Sequence, residues 1–396
     1  MASKLTQSVF IAVTNIKSIS RRIWISASMI FSIAMVVIVL IGFLAMARGF
    51  EATLEGAGSS EVGVVLAGGA RDETGSSIPS EIRHRLSAGI LGLTSQNGQP
   101  LISNELVVPV DLPLIDGGDL QTISLRGMDA IGTTLRKNVT LVSGRFAEPG
   151  VAEIVVGADI ARRYAGLNLG QTVEFGSVNW KVVGQFEAGG SAFESEMWAD
   201  LAATQALFMK EGEVQSLRIG LDADADTQVM AAVLEKALGE PVIVITEQAY
   251  FAGQSRRVAK LIRLFGWPIA IVMAIGATAG ALNTMFSSVS DRAVEIATLR
   301  AIGFSGVAAF VGTWVEALLL SLIGAGIGGI TAFLLFNGYQ SSTQGAGGQI
   351  AFDLQVTWYI VGQAGALALV VGFFGGAFPA FKAARMPIVK AMRGAG

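Results

Sequence analysis

Apolar runs long enough to cross a bilayer core, about 20 residues, occur four times along the chain, and a long stretch of different texture separates the first from the second. The first runs from Ile23 to Ala47 without a charge. The second, Leu264 to Val289, is also uncharged, with Pro268 in its opening turns, where a missing N–H costs least. The third, Ala308 to Phe336, holds one ionisable residue, Glu316, and the fourth, Val356 to Phe381, carries Pro379 near its end. The pattern predicts transmembrane helices at 23–47, 264–289, 308–336 and 356–381. A cleavable signal peptide competes for the first run, since Lys4, Lys17, Arg21 and Arg22 precede it and Ala45-Met46-Ala47 has the cleavage form. The run is far longer than the ~7–15 residues of such a segment, which favours a span.

Residues 48 to about 245 alternate short β-type runs with turn signals. Strands are predicted at Glu61–Ala67, Glu105–Pro109, Thr122–Arg126, Glu153–Val156, Thr172–Phe175, Trp180–Phe186, Gln215–Ile219 and Val242–Ile245, with helices at Pro79–Ser87, Ala158–Ala165 and Ala225–Leu238. The stretch from Ile131 to Ala188 reads as a strand-rich subdomain inserted into a simpler α/β unit. From Thr246, a suitable N-cap, the pattern turns helical. One helix from there through the second span would run about 44 residues, roughly 65 Å, a stiff rod joining the outer domain to the cytoplasmic face. The alternative is two helices broken at Gly266-Trp267-Pro268.

Charge sets the orientation. Residues 48–263 hold 18 basic and 27 acidic residues, whereas Lys4, Lys17, Arg21 and Arg22 lie in one tail and Lys382, Arg385, Lys390 and Arg393 in the other, with no acid in either. Basic tails stay in the cytoplasm, so both termini are expected there and the acidic stretch outside. Arg256, Arg257, Lys260 and Arg263 pull the other way; long domains, however, translocate largely regardless of charge. The expected layout is a cytoplasmic amphipathic segment at 1–22, an extracytoplasmic α/β domain and stalk at 48–263, a cytoplasmic helix at 290–307, an outer loop at 337–355 whose Ser/Gly/Gln content reads as mobile, and a cytoplasmic tail at 382–396. The fold class is an α-helical membrane protein with four transmembrane helices and a large extracytoplasmic mixed α/β domain between helices 1 and 2.

Composition agrees with lipid exposure: hydrophobic residues make up 52% and charged residues 15%, mean hydropathy is +0.57, and many of the 49 glycines fall inside apolar stretches. With no cysteine and one histidine, His84, the chain excludes disulfides, thiolate metal sites and cysteine nucleophiles. No catalytic residue and no metal site is expected.

Between the second and third spans the chain reads SDRAVEIATLRAIGFSGV, Ser290 to Val307. Arg292 and Glu295 are spaced to pair on a helix surface, Val294, Ala297 and Ala301 line another face, and Gly303 is placed to end the helix. The segment offers no base, metal cluster or phosphate loop. Its shape suits docking into a soluble partner's groove.

This string, Arg292-Ala-Val-Glu295-Ile-Ala-Thr-Leu299-Arg300-Ala-Ile-Gly303, resembles the FtsX/MacB-type permeases, the type VII ABC transporter superfamily. So do Glu316-Ala-Leu-Leu-Leu with Gly324-Ala-Gly-Ile-Gly328, and Pro379-Ala-Phe-Lys382-Ala-Ala-Arg385-Met-Pro387. The similarity covers roughly the last third of the chain; Trp180-Lys-Val-Val-Gly184 and Phe186-Glu-Ala-Gly-Gly are similar to that family's periplasmic core domain. The resemblance implies a bacterial inner-membrane permease, itself no enzyme, that dimerises with a second copy and pairs with a cytoplasmic ABC ATPase. ATP and Mg would be bound by that partner and no cofactor by this chain; a periplasmic adaptor or membrane-fusion protein is a further implied partner, and nucleic acid is not. It also implies ATPase coupling through Arg292, Glu295, Leu299, Arg300 and Gly303. No G-x-x-x-x-G-K-[ST] string occurs in the chain, and Gly345-Ala-Gly-Gly348-Gln349, vaguely like the ABC signature, lies in the outer loop. Two functions stay open: export or mechanotransmission, and FtsX-like signalling that activates an extracytoplasmic hydrolase without transport. An intramembrane protease would need a paired aspartate or a Ser/His dyad that the spans lack.

Single residues carry further expectations. Glu316, without another charge in the spans, reads as a structural or dimer contact held by a hydroxyl or backbone group, with proton coupling as the alternative. The pairs Gly276/Gly280, Gly324/Gly328 and Gly372/Gly376 permit close helix approach, within the chain or at a dimer seam. His84 reads as a surface residue. The Arg256–Arg263 cluster reads as a solvated face or a contact with anionic lipid headgroups.

Overall fold

The computed structural model describes residues 4–18, 23–87, 92–96, 98–117, 120–175, 178–345 and 347–387. Arg21, Arg22, Lys390 and Arg393 therefore lie outside the described residues. Two compact units form: one takes the chain through Arg48, Ala259–Tyr339 and everything from Leu354, the other Gly49–Val258 with Gln340–Asp353.

Along the chain come α1 (Lys4–Ser18), α2 (Ile23–Glu55), β1 (Val62–Ala67), α3 (Ser80–Ser87), the ribbon β2 (Ser95–Gln96) and β3 (Gln99–Pro100), β4 (Ile102–Pro113), β5 (Leu120–Met128) and α4 (Ile131–Leu135). Then follow β6 (Thr140–Gly144), β7 (Glu153–Gly157), α5 (Ala158–Arg163), β8 (Thr172–Phe175), β9 (Val178–Glu187), β10 (Glu196–Asp200), α6 (Leu201–Leu207), β11 (Ser216–Gly220), α7 (Thr227–Leu238) and β12 (Val242–Thr246). The remainder is α8 (Glu247–Asp291), α9 (Ala293–Ala301), α10 (Gly306–Phe336), β13 (Gln340–Gln344), β14 (Gln349–Asp353) and α11 (Trp358–Ala384).

Among the described residues four helices, α2, α8, α10 and α11, are long and apolar enough to cross a membrane. Helix α2 supplies bulk, with Met29, Ile33, Val36, Val37, Leu40, Ile41 and Leu44 turned inward at helical spacing. The others answer with small residues: Ala270, Ala274, Ala277 and Ala281 of α8, Ala317, Ala325 and Ala332 of α10, Ala364 and Ala368 of α11. Small residues let backbones approach where lipid provides no hydrophobic drive between helices. Thr246 caps α8, accepting from Ala249 N at 3.2 Å, and the helix then runs 45 residues through Pro268. No break occurs at Gly266-Trp267-Pro268. Gly266 is pressed against Phe43, whose Cβ would stand 2.7 Å from an added methyl, so packing holds this turn although proline removes one of its hydrogen bonds.

In the second unit one ten-stranded sheet runs β12-β1-β11-β4-β5-β10-β7-β9-β6, with β8 on β9. The predicted 131–188 subdomain is not separate: β7 pairs antiparallel with β10 and parallel with β9, which makes this stretch one end of the common sheet. Strand alternation builds the core, as Leu106, Val108, Val110 and Leu112 of β4 point one way with Ile123 and Leu125 of β5. A second cluster at the other end gathers Val65, Leu217, Ile219, Val242 and Val244 under Met230 and Leu234 of α7.

Residues 337–355, expected to be a mobile loop, contain the antiparallel hairpin β13–β14, which belongs to the second unit. Phe352 is 2% exposed and meets the Phe50 ring edge-on at 5.5 Å, Ala351 N donates to Ser195 Oγ at 3.0 Å, and Gln340 Nε2 donates to Asp159 at 3.3 Å. At the tip, a methyl on Gly348 would fall 2.6 Å from Ser124 N. Glycine is what allows this approach.

Candidate functional site

Helix α8 stops at Asp291 and α9 restarts at Ala293, with Arg292 between them at φ −103 and ψ 14. At the other end Phe304 N donates to Leu299 O at 3.1 Å and Gly303 N to Arg300 O at 3.2 Å. This is the paired closure of a Schellman turn, and Gly303 supplies its positive φ of +104. Ser305 then caps α10, accepting from Ala308 N at 3.2 Å. Two stops in quick succession leave α9 only 9 residues long, shorter than the predicted 290–307 segment.

The predicted residues of this segment divide. Arg292 forms the pair with Glu295 expected of it, but from a buried position. It is 6% exposed, and its Nη1 reaches Glu316 Oε2 at 3.1 Å, its Nη2 donates to Asn15 Oδ1, and its Nε contacts Glu295 Oε2 at 3.3 Å. A guanidinium from outside its span thus pairs with Glu316, a partner beyond the expected hydroxyl or backbone group. The physical reason is the cost of a buried carboxylate, which demands a counter-ion within reach. Arg300 Nη1 donates to the Met386 carbonyl at 2.5 Å, tying the end of α9 to the chain leaving α11.

Ile296 and Ala297 are the buried residues of α9; Ile296 packs with Val289, Ala309 and Ala383. Val294 and Ala301 are exposed, so the expected face of Val294, Ala297 and Ala301 is rolled away from the protein at two of its three positions. Leu299 is half-buried. The outward surface carries Glu295, whose side chain is 66% exposed, with Val294, Thr298, Ala301 and Ile302.

The glycine pairs also divide. A methyl on Gly324 or Gly328 would meet the α2 carbonyls of Ile30 and Ala34 at 2.9 and 2.7 Å, and one on Gly372 or Gly376 would meet Ser321 Oγ and Ala317 Cβ at 2.3 and 2.4 Å. These four pack helices within the chain. Around Gly276 and Gly280 no described residue would come within 4 Å of an added methyl.

The second unit holds a buried charge network that sequence reasoning missed. Arg126 Nη1 lies 2.9 Å from Glu73 and 2.8 Å from Glu105, and its Nη2 lies 2.7 Å from Glu196. Arg136 bonds Glu105 at 2.8 Å, and Arg218 bonds both Glu73 and Glu247 at 3.0 Å. Burial opposes the charge on Glu73, yet the Arg126 and Arg218 guanidiniums outweigh it and hold that carboxyl well below the usual range. Glu105 is likewise lowered: burial is again overcome, by Arg136, Arg218 and Arg126. A cavity of about 40 Å³ adjoins the network beneath the hairpin, lined by Glu73, Ser124, Arg126, Glu196, Tyr250 and Gly348. The available signal was charge inside predicted strands, at Glu105, Arg126 and Arg218, on the face opposite the apolar row.

His84 is exposed on α3, and Arg256, Arg257 and Lys260 are exposed on α8. Among the described residues no group of three or more His, Asp or Glu side chains could hold a metal ion.

Comparison with known proteins adds two family matches: the FtsX-like permease C-terminal family over residues 267–388 and the MacB-like periplasmic core domain family over 26–237. An uncharacterized ABC transporter permease of Methanocaldococcus jannaschii is 21% identical over 233 residues, 58% of either chain. The macrolide export ATP-binding/permease protein MacB of Bartonella quintana is 24% identical over 167 residues, 40% of this chain and 25% of that one. This chain therefore matches little more than half the length of the first relative and a quarter of the second. The periplasmic region of MacB from Actinobacillus actinomycetemcomitans superposes on 49% of this chain and 92% of its own, at 15% identity and a TM-score of 0.37.

Proposed function

Since the chain belongs to the ABC transporter permeases that join a MacB-like periplasmic core domain to an FtsX-like permease domain, we propose that it is the permease subunit of an export or mechanotransmission system. A separate cytoplasmic ATPase binds and hydrolyses MgATP, α9 receives it, and the outer domain moves in response. The protein sits in a bacterial inner membrane as a homodimer with both termini cytoplasmic. Helix α8 carries this reading. It begins at Glu247, 2% exposed and bonded to Arg218 of the sheet, and continues unbroken to Asp291, one residue short of the coupling helix. An intact helix of 45 residues resists bending over its length, so displacement at one end reaches the other.

The test is reconstitution. The purified chain alone is expected to hydrolyse no ATP and to form a two-plus-two complex with an ATPase whose turnover responds to it. Robust ATPase activity from this chain by itself would refute the assignment.

A further inference from the structure

We propose that Arg292 is a positioning residue that clamps the coupling helix α9 to α10 and α1, so that the three move as one body, and that this, not contact with the ATPase, is its contribution. The proposal rests on the reading of α9 as the docking helix.

The geometry is that of a three-way junction. One planar guanidinium addresses Glu295 on α9 through Nε, Glu316 on α10 through Nη1 and Asn15 on α1 through Nη2. Arginine presents five N–H donors in a fixed fork, whereas lysine offers a point charge. Arg292, Asn15 and Glu316 are 6%, 3% and 5% exposed, so water cannot substitute for a lost partner and the bonds fix direction as well as distance.

The clamp answers a mechanical need. A helix of 9 residues is too short to hold its own shape, and the apolar cluster beneath it has, among the described residues, Val289, Ile296, Ala309 and Ala383 as its buried members. Pushed at Glu295 or Ile302, such a helix would roll instead of transmitting. Arg292 pins its first turn, and Arg300, bonded to the Met386 carbonyl, pins its last. Helix α1 is the third arm. Ile11 rests against Gly312 of α10, where an added methyl would come within 2.5 Å of Ile11 Cγ2, and Gln7 Oε1 accepts from Ser305 N at 3.2 Å. The amino-terminal helix is thus built into the receiving end of the coupling apparatus.

The experiment uses the full chain, reconstituted with a cytoplasmic ATPase that forms the proposed two-plus-two complex with it, and nitroxide labels on cysteines introduced at exposed Asp224 in the second unit and Tyr359 on α11; the chain has no cysteine of its own. Pulsed electron resonance reads the inter-label distance with and without vanadate-trapped nucleotide. The test variant is Arg292→Met with Glu316→Met, because replacing a buried ion pair by apolar side chains of similar size commonly preserves stability. We expect it to bind the ATPase within about threefold of the parent, and the nucleotide-driven change in the distance distribution to fall about fivefold or more.

Two results would overturn the clamp: a full distance change in the variant, or an affinity loss of about tenfold or more at unchanged melting temperature, which would make Arg292 an ATPase contact. If the paired variant does not insert, Asn15→Ala is judged by the same two criteria. No nucleotide response in the parent chain overturns the proposed function itself, a result separable from failure of the clamp.

Discussion

At the scale of single residues, the two charges of the Arg292–Glu295 pair do different work. Glu295 is exposed while Arg292 keeps its buried bond to Glu316. Glu295→Lys should therefore cost the fold about 0.5 kcal/mol or less. At a fitted interface a reversed charge costs several kcal/mol, about a hundredfold or more in affinity. ATPase co-purification at matched membrane levels checks this: undiminished capture would remove Glu295 from the docking face. In the second unit, Glu73 and Glu105 have carboxyl pKa values lowered by folding. Their contribution is complete above the ordinary carboxylate range and is lost as pH falls through the lowered native values. The second unit's melting temperature should thus stay level from neutral pH to about 5 and fall below about 4. Glu73→Gln, which leaves two buried guanidiniums short of a counter-charge, should cost about 3 kcal/mol or more at pH 7. A melting temperature that dropped between pH 7 and 5, or a silent Glu73→Gln, would show that the network is not what stabilises this sheet. Which way Arg292 turns was not legible beforehand, because its partners Asn15 and Glu316 are distant in sequence and apolar residues lie on both sides of α9.

At the scale of elements, legibility followed length. A span of twenty or more apolar residues leaves few alternatives, and a 45-residue helix could be anticipated from a helical pattern interrupted by one proline, Pro268, and isolated glycines. Short elements were harder. Strands β6 and β10 and helices α4 and α6 were not predicted: five residues of β10, Glu196-Met-Trp-Ala-Asp200, carry acids at both ends and show no clean alternation. From sequence the hairpin reads as a loop because Ser, Gly and Gln favour turns when nothing else is known, and its order comes from Phe352 and from the sheet it sits on. Packing at element scale makes a sharp contrast testable. Gly328→Leu forces side-chain volume against the Ala34 carbonyl, already 2.7 Å from a bare methyl, and should destabilise the helix bundle by about 1–3 kcal/mol. Gly276→Leu meets open space and should leave the single chain's melting temperature unchanged. Equal effects in detergent would mean that α10 and α2 are not seated as described.

At the scale of the whole molecule, the alternation of the spans predicts opposite accessibility for two exposed positions in a chain free of cysteine. A membrane-impermeant thiol reagent should modify Asp224→Cys in intact cells whose outer envelope has been opened, and Ile302→Cys only after lysis. Modification of both from the same side would sink the proposed arrangement of acidic domain outside and coupling helix inside.

The hairpin also bears on where the second unit begins and ends as a piece of gene. That unit consists of Gly49–Val258 together with Gln340–Asp353, so it is discontinuous, and no single uninterrupted stretch of coding sequence encodes it without also encoding two spans. A fragment cut at 49 and 258 would leave vacant the seat that Phe352 fills against Phe50, and would uncover the acids and arginines beneath the tip. Such a fragment should bind a hydrophobic dye and melt earlier than one in which a short linker joins 258 to 340 and restores the missing fourteen residues, 340–353. A surface exposed by excision in this way would present itself as a binding groove, although in the intact chain it is already occupied.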